Sequence, residues 1–357
     1  MTSFSDRLLT WFDEHGRKDL PWQQRRDPYP IWISEIMLQQ TQVQTVIPYF
    51  ERFMQRFASI DALASADQDD VLHHWSGLGY YARARNLHRA ARMIVSEHGG
   101  VFPDDIDAVT ELPGIGRSTA GAILSLSRDQ RHPILDGNVK RVLTRHAAIE
   151  GWPGKTAVLK ALWALADRHT PDDRVAAYTQ AIMDLGATLC TRSNPACARC
   201  PVMGDCTAYA TDTVTLYPGR KPKKEKPLRT TTMLIARTEA RVYLERRPEA
   251  GIWGGLWSLP ELDDRTVEAW CEDELSAAAA VAEPWQILRH SFSHYDLYIQ
   301  PILVRVDSPL SKVADSDRAT WYQLDEPPPG GIAAPVRKLL DQLMMEEHKK
   351  SSDVAHN

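Results

Sequence analysis

The sequence predicts a mainly α-helical domain over residues 1–217, followed by a smaller α+β domain over residues 230–345. Three observations predict it. In the first part, segments such as ISEIMLQQTQVQTVIPYFERFMQRF and ARNLHRAARMIVSEH repeat apolar residues at three- and four-residue spacing, the period of an amphipathic helix. At YPGRKPKKEKPLR the character breaks, because three prolines, a glycine and six basic residues cannot build a helix or a core. Beyond it, TTMLIART and VYLERRP read as paired strands, and strands with few helices indicate an α+β layer.

The helical part is punctuated by SGLGYY, GGVFPDD, LPGIGR and HPILDGN. Ser59 or Asp61, Asp104 and Ser118 are the expected helix caps. Residues 218–229 form a basic linker, a solvated tether or a contact for a phosphate backbone. In the second domain GIWGGLWSLPE leads to an alanine-rich helix near residues 264–282. Strand-like FSHYDLYIQPILVRV and RATWYQL follow, then a closing helix and a disordered tail over 346–357.

The net charge of −5 argues mildly against a nucleic-acid partner, but the charge is unevenly laid out. Residues 1–217 carry 23 basic and 25 acidic groups, 218–229 carry six and one, and 230–357 carry 13 and 21. A nucleic-acid surface must therefore come from local clusters. No apolar run of 18 residues exists, so no membrane helix is expected. The N-terminus lacks the order of a secretory signal, and a cytoplasmic protein is expected.

Four of the five cysteines, Cys190, Cys197, Cys200 and Cys206, fall in one turn-rich stretch, CTRSNPACARCPVMGDC. In a reducing compartment such clustering points to a metal, and four thiolates suit either a [4Fe–4S] cluster or a structural zinc. With no open coordination position the metal pins the loop, leaving Arg192 and Arg199 to present charge to phosphates. In LPGIGRSTAG, Gly114 and Gly116 allow a tight turn into a helix whose first amides make an anion site. Asp136, in HPILDGNVKRVLTR, reads as a helix cap whose charge the helix end favours. Glu35 stands in an otherwise apolar stretch, Ile31 to Leu38, where burial raises a carboxyl and makes it a general acid.

PYPIWISEIMLQQTQVQTVIPYFERF, LPGIGRSTAG followed by HPILDGN, and the C-x6-C-x2-C-x5-C stretch together resemble the MutY-type adenine glycosylases of the helix-hairpin-helix, endonuclease III superfamily. The resemblance implies a helix-hairpin-helix over about residues 104–126 and a [4Fe–4S] cluster on the four cysteines. It implies Glu35 and Asp136 as the catalytic carboxylates. Glu35 protonates the leaving adenine at N7, and Asp136 stabilises the positive sugar, with a covalent adduct as one route; water completes the hydrolysis. The family's strand-cleaving relatives carry a Schiff-base lysine just after the hairpin, where this chain has Ser118, so a monofunctional glycosylase is expected. Lys140, one turn after Asp136, is assigned to DNA backbone contact with Gly114, Gly116 and Ser118.

The adenine must leave the duplex, and by the resemblance Gln40 and Tyr80 fill the gap. From the residues alone Tyr80 and Tyr81 fit a core equally well. Arg83 and Arg85 beside them suggest a backbone-binding mix. Trp22, Leu38, Asn138 and Gln180 match the family's base pocket and its surroundings. Residues 230–345 resemble the Nudix-like C-terminal domain of these proteins, without the acidic metal-binding helix of Nudix hydrolases. A recognition domain is therefore expected, with Phe292, Ser293 and His294 in RHSFSHYDL meeting 8-oxoguanine; from the residues alone this is a plain strand turn holding a histidine. The expected function is removal of adenine mispaired with 8-oxoguanine or guanine in double-stranded DNA. The expected protein is a monomer, with no membrane partner and association with the nucleoid. An endonuclease III-type glycosylase/lyase and a non-catalytic damage-binding protein are the alternatives.

Overall fold

The computed structural model describes residues 2–222, 225–238, 241–249, 251–277, 279–292, 294–306 and 318–354. The chain divides into two compact units. One comprises residues 1–65 and 86–223, the other residues 66–85 and 224–357.

The first unit is helical. It holds α1 (Phe4–His15), α2 (Pro28–Leu38), α3 (Val43–Arg56) and α4 (Ile60–Ser65). After α5 (Gln68–Trp75), which belongs to the other unit, α6 (Ala82–His98) re-enters it. Then come α7 (Ile106–Glu111), α8 (Arg117–Arg128), α9 (Gly137–His146), α10 (Thr156–His169), α11 (Val175–Asp184) and α12 (Thr207–Ala210). α2 is apolar around most of its girth, with Tyr29, Ile31, Trp32, Ile33, Ile36 and Met37 buried, so it occupies the middle of the unit against α3 and α8. α1 starts with a capping box in which Ser3 and Asp6 satisfy each other's backbone amides. It packs on α11, which in turn packs on α8.

Two caps differ from expectation. Asp105, not Asp104, caps α7 through the amides of Asp107 and Ala108. α8 starts at Arg117 with Gly116 as its cap, so Ser118 sits inside the first turn. Ser59 does cap α4, its Oγ accepting from the Ala62 amide at 3.1 Å.

The second unit is built on a mixed sheet of β1 (Leu228–Arg237), β2 (Arg241–Arg246), β3 (Trp257–Ser258), β4 (Glu261–Leu262), β5 (Ala279–Pro284), β6 (Leu288–Ser291), β7 (Asp296–Val306) and β8 (Ala319–Gln323). β1 runs parallel to β7 over ten residue pairs, from Leu228–Asp296 to Arg237–Arg305. β1 pairs antiparallel with β2, as the sequence suggests, and begins inside the stretch expected to be linker. The expected alanine-rich helix is short. α13 (Val267–Trp270) and a π-turn end by Leu275, and the alanine run becomes β5 against β7. Sheet pairing overrides the helix preference of alanine there. Cys271 is buried in this unit's core with Leu234, Tyr243 and Trp270. α14 (Ala334–Val354) runs through most of the stretch expected to be a disordered tail; residues 355–357 lie outside the described residues. Among the described residues no helix is long and apolar enough to cross a membrane.

Candidate active site and cluster loop

The helical unit contains a cleft of about 520 Å³ that gathers seven of the residues singled out from the sequence. Trp22, Glu35, Leu38, Ser118, Asp136, Asn138 and Gln180 all line it. Glu35 reaches it from α2, Asp136 and Asn138 from the start of α9, Ser118 from α8 and Gln180 from α11.

Two close approaches fix the Asp136 loop. The Ser118 hydroxyl accepts the Leu135 amide at 2.9 Å. Gly121 lets Pro133 pass so near α8 that a Cβ there would stand 3.0 Å from its carbonyl oxygen. Asp136 then caps α9, its Oδ1 accepting the Val139 amide at 2.7 Å. Cap and cleft-lining carboxylate are thus one residue. Burial raises its pKa, opposed by the Val139 and Asn138 hydrogen bonds and by the Arg141 and Lys140 charges.

Glu35 opens partly to the cleft but is otherwise enclosed by α2 and its neighbours. This burial pushes its carboxyl up to about 8, and the nearby Asp136 charge adds to the rise. Burial thus raises both carboxyls, and at Asp136 the rise is opposed by hydrogen bonds and nearby positive charge that Glu35 lacks.

Sequence reasoning missed the support behind Gln180. Asp184, whose side chain is only 1% exposed, accepts from the Arg17 amide at 2.8 Å and from Arg17 Nε and Nη2 at 2.9 and 2.6 Å. It also accepts Gln180 Nε2 at 2.8 Å. The signal was present: Asp184 lies one helical turn after Gln180 in an otherwise apolar helix. Replacing Asp184 with Ala strands the Arg17 guanidinium. Loss of one partner of a buried pair costs roughly 3–5 kcal/mol. Asp184→Ala is expected to lower the thermal midpoint by on the order of 10 °C in calorimetry; an unchanged midpoint refutes this role.

A second network leads away from Asp136. Asn138 Nδ2 donates to Asp136 Oδ2 at 3.4 Å, and Arg141 Nη2 donates to Asn138 Oδ1 at 2.9 Å. Arg141 Nε donates to the Cys190 carbonyl at 2.7 Å, and Arg145 Nη1 lies 3.3 Å from Cys190 Sγ. Asn138 is pressed against Gly186, where a Cβ would stand 2.6 Å from the Asn138 Cβ.

Cys190, Cys197, Cys200 and Cys206 line one hollow, walled by Val142, Leu185, Leu189, Val202, Met203 and Val214. Among the described residues no three thiol, imidazole or carboxylate side chains come together to hold a single metal ion. Four thiols around one apolar hollow, with a guanidinium on one sulfur, are a donor set that fits an iron–sulfur cluster. Burial raises the Cys200 thiol to about 12, so its ionised form needs the positive charge of bound metal. Arg192 and Arg199 are exposed on this loop.

Elsewhere, Gly114 takes a φ of +82° in the turn between α7 and α8. A Cβ there would stand 2.8 Å from the Asn86 Cβ, so the turn requires glycine. Gly114 and Gly116 are exposed, Lys140 is half-buried, and none of the three lines the cleft. Gln40 is exposed just past α2 with φ 60°, flanked by the cleft residues Gln39 and Thr41. Tyr80, in the other unit, is 54% exposed with φ 50°. Arg83 and Arg85 do not present free guanidinium groups: Arg83 donates to the Leu78 and Gly79 carbonyls, and Arg85 to that of Gly254. Between β6 and β7 the Phe292 amide donates to the Tyr295 carbonyl. Phe292 is half-buried and His294 exposed there, while Ser293 lies outside the described residues.

Three family models match separate stretches of the chain. A model of HhH-GPD superfamily base excision DNA repair proteins matches residues 33–168, which sets the class of the helical unit. The iron–sulfur binding domain of endonuclease III matches residues 190–206, and a NUDIX domain matches residues 231–342. The adenine DNA glycosylase of Buchnera aphidicola subsp. Acyrthosiphon pisum is 39% identical over 338 residues, covering 95% of this chain and 97% of that protein. The adenine DNA glycosylase of Homo sapiens is 32% identical over 407 residues, covering 95% of this chain and 73% of that protein. Among solved structures, a thermostable thymine-DNA glycosylase is 27% identical with a TM-score of 0.54, over 58% of this chain and 95% of its own. The chain belongs to the adenine DNA glycosylase family. Its cofactor is an iron–sulfur cluster of the [4Fe–4S] kind.

Proposed function

We propose that the protein hydrolyses the N-glycosidic bond of adenine mispaired with 8-oxoguanine, and of adenine opposite guanine, in double-stranded DNA, leaving the strand unbroken. The observation that carries this reading is the pair of carboxyls in one cleft, Glu35 pushed up to about 8 beside Asp136 at a helix start.

Adenine leaves poorly as an anion. Glu35, protonated at neutral pH, gives its proton to N7 as the bond to the sugar breaks. Asp136, held by the Val139 amide, faces the positive charge that develops on the sugar. Water then adds to the sugar, and Glu35 takes up the proton that water releases. Because Gln180 Nε2 is committed to Asp184, the amide atom left to meet the base is Oε1, an acceptor suited to the exocyclic amine of adenine. Trp22 and Leu38 supply apolar wall. Ser118 offers a hydroxyl, already engaged with Leu135, where a lysine would form a Schiff base.

The α7–α8 turn and the first amides of α8, with Lys140, Arg192 and Arg199, supply the phosphate contacts. Gln40 and Tyr80, both exposed and both held in the left-handed region that such residues rarely adopt, fill the space the adenine leaves. Phe292, Ser293 and His294 meet the 8-oxoguanine. The four cysteines hold the cluster, which when bound braces the loop and does no bond chemistry in this scheme.

The test is a pair of duplexes, one with 8-oxoguanine·adenine and one with thymine glycol·adenine, analysed with and without hot alkali. Free adenine from the first, with strand breaks only after alkali, is the expected result. Breaks at thymine glycol without alkali would place the protein among the glycosylase/lyases, and binding without base release would make it a damage binder.

A further inference from the structure

The segment 66–85 lies within the helical half of the sequence, yet it groups with the sheet unit. Its attachments are specific. Gln68 Nε2 donates to Glu249 at 2.8 Å, Asp69 pairs with Arg246 at 2.8 Å, and Tyr81 Oη donates to the Ile332 carbonyl at 3.3 Å. Val71, Leu72 and Trp75 are fully buried. A Cβ on Gly331 would stand 3.1 Å from the Leu72 Cβ, so α5 lies hard against that glycine.

The turn that carries Tyr80 is braced from within the same segment. Trp75 Nε1 and Arg83 Nη2 both donate to the Gly79 carbonyl, at 3.1 and 3.2 Å. The Arg83 guanidinium lies over the Trp75 and Tyr80 rings, 5.3 and 5.5 Å from their centroids. Two residues further on, Arg85 Nη1 donates to the Gly254 carbonyl at 2.6 Å. The residue before Gly254 is Trp253, held at φ 55°. Its ring stands 5.4 Å from Phe292 and 5.7 Å from His290, and Phe292 in turn lies 6.1 Å from His294. An unbroken series of contacts thus runs from the Tyr80 turn through Arg85, Gly254 and Trp253 to Phe292 and His294.

We propose that the 66–85 segment and the sheet form one recognition body, in which the Arg85–Gly254–Trp253 bridge ties the turn that meets the opposite base to the Tyr80 wedge. Arg85 and Trp253 are then positioning residues that set the preference for 8-oxoguanine over guanine. The inference rests on the roles proposed above for residues 292–294 and Tyr80. Its physical content is a shared rigid element: a base seated at Phe292 and His294 fixes Trp253, and the Gly254 carbonyl fixes Arg85 and the start of α6.

The test compares single-turnover adenine release from 8-oxoguanine·adenine and guanine·adenine duplexes for the full-length protein. Arg85→Met keeps the apolar stem and removes the donor; Arg85→Lys restores a donor; Trp253→Ala removes the ring. Arg85→Met and Trp253→Ala are each expected to reduce the ratio of the two rates by about tenfold, within the range of ordinary site coupling. Arg85→Lys is expected to recover part of it. The double variant should lose little more than either single one, because both act on one bridge. Wild-type ratios in both single variants would overturn the proposal, as would equal losses on both duplexes, which would mark mere structural support. Multiplicative losses in the double variant would overturn the bridge. If the unmodified protein itself releases adenine equally from both duplexes, the roles given to residues 292–294 fail, and the preference set by this bridge falls with them.

Discussion

Glu35→Gln is expected to release adenine on the order of 10²–10⁴ times more slowly than the unmodified protein while binding a mispaired duplex equally well. Glutamine fills the same space on the cleft wall but cannot deliver a proton. The same substitution should stabilise the fold, and the sign follows from the direction of the shift. Burial and the Asp136 charge raise the folded-state carboxyl to about 8 from an ordinary value of 4.5. The contribution of Glu35 is therefore fully present below about pH 4.5 and is lost as pH rises toward 8, since ionisation is easier in the unfolded chain. At neutral pH that loss is on the order of 3 kcal/mol, and Glu35→Gln should be more stable by a similar amount in urea unfolding. A variant that is slow but less stable would show that Glu35 is a structural ion pair instead.

Asp136→Asn is expected to lose adenine release by about 10²–10³-fold, the usual cost of removing one oriented electrostatic partner of a transition state. The fold should survive, because asparagine caps a helix about as well as aspartate and its Oδ1 can still accept the Val139 amide. Mispair affinity should stay near that of the unmodified protein, measured by anisotropy, with the loss confined to the single-turnover rate. Removing the Asp136 charge should also bring Glu35 down from about 8, seen as a shift to lower pH in the pH dependence of stability. A wild-type single-turnover rate in Asp136→Asn would remove this residue from the reaction.

How much of this was legible in the sequence depends on how local each feature is. Glu35 stood out because a carboxyl inside Ile31–Leu38 has no local reason to be there, and Asp136 because a cap position and a glycine hairpin fell close together. The cysteine spacing marked the cluster loop without any tertiary knowledge. Asp184 escaped, although its spacing from Gln180 was visible, because its partner Arg17 lies far off in sequence. The Arg141 path from Asn138 to Cys190 escaped for the same reason. The carbonyl partners of Arg83 and Arg85 escaped because a sequence does not show which carbonyls will take up a guanidinium. The alanine-rich stretch was read as helix because propensity is local, whereas the pairing of Ala279–Pro284 with β7 is not. The attachment of residues 66–85 to the sheet unit rests wholly on contacts between distant stretches of chain, and no periodicity announces it.

The central claim is that Glu35 is held protonated near neutral pH and delivers that proton to the departing base. The most direct measurement is the single-turnover rate of adenine release from an 8-oxoguanine·adenine duplex across the pH range around 8, beside that of Glu35→Gln. The account predicts a rate that falls tenfold per unit on the alkaline side, with its midpoint at about 8, and no such limb in the residual rate of the variant. A rate that stays level or rises through that range, or a variant that keeps the same limb, would contradict it.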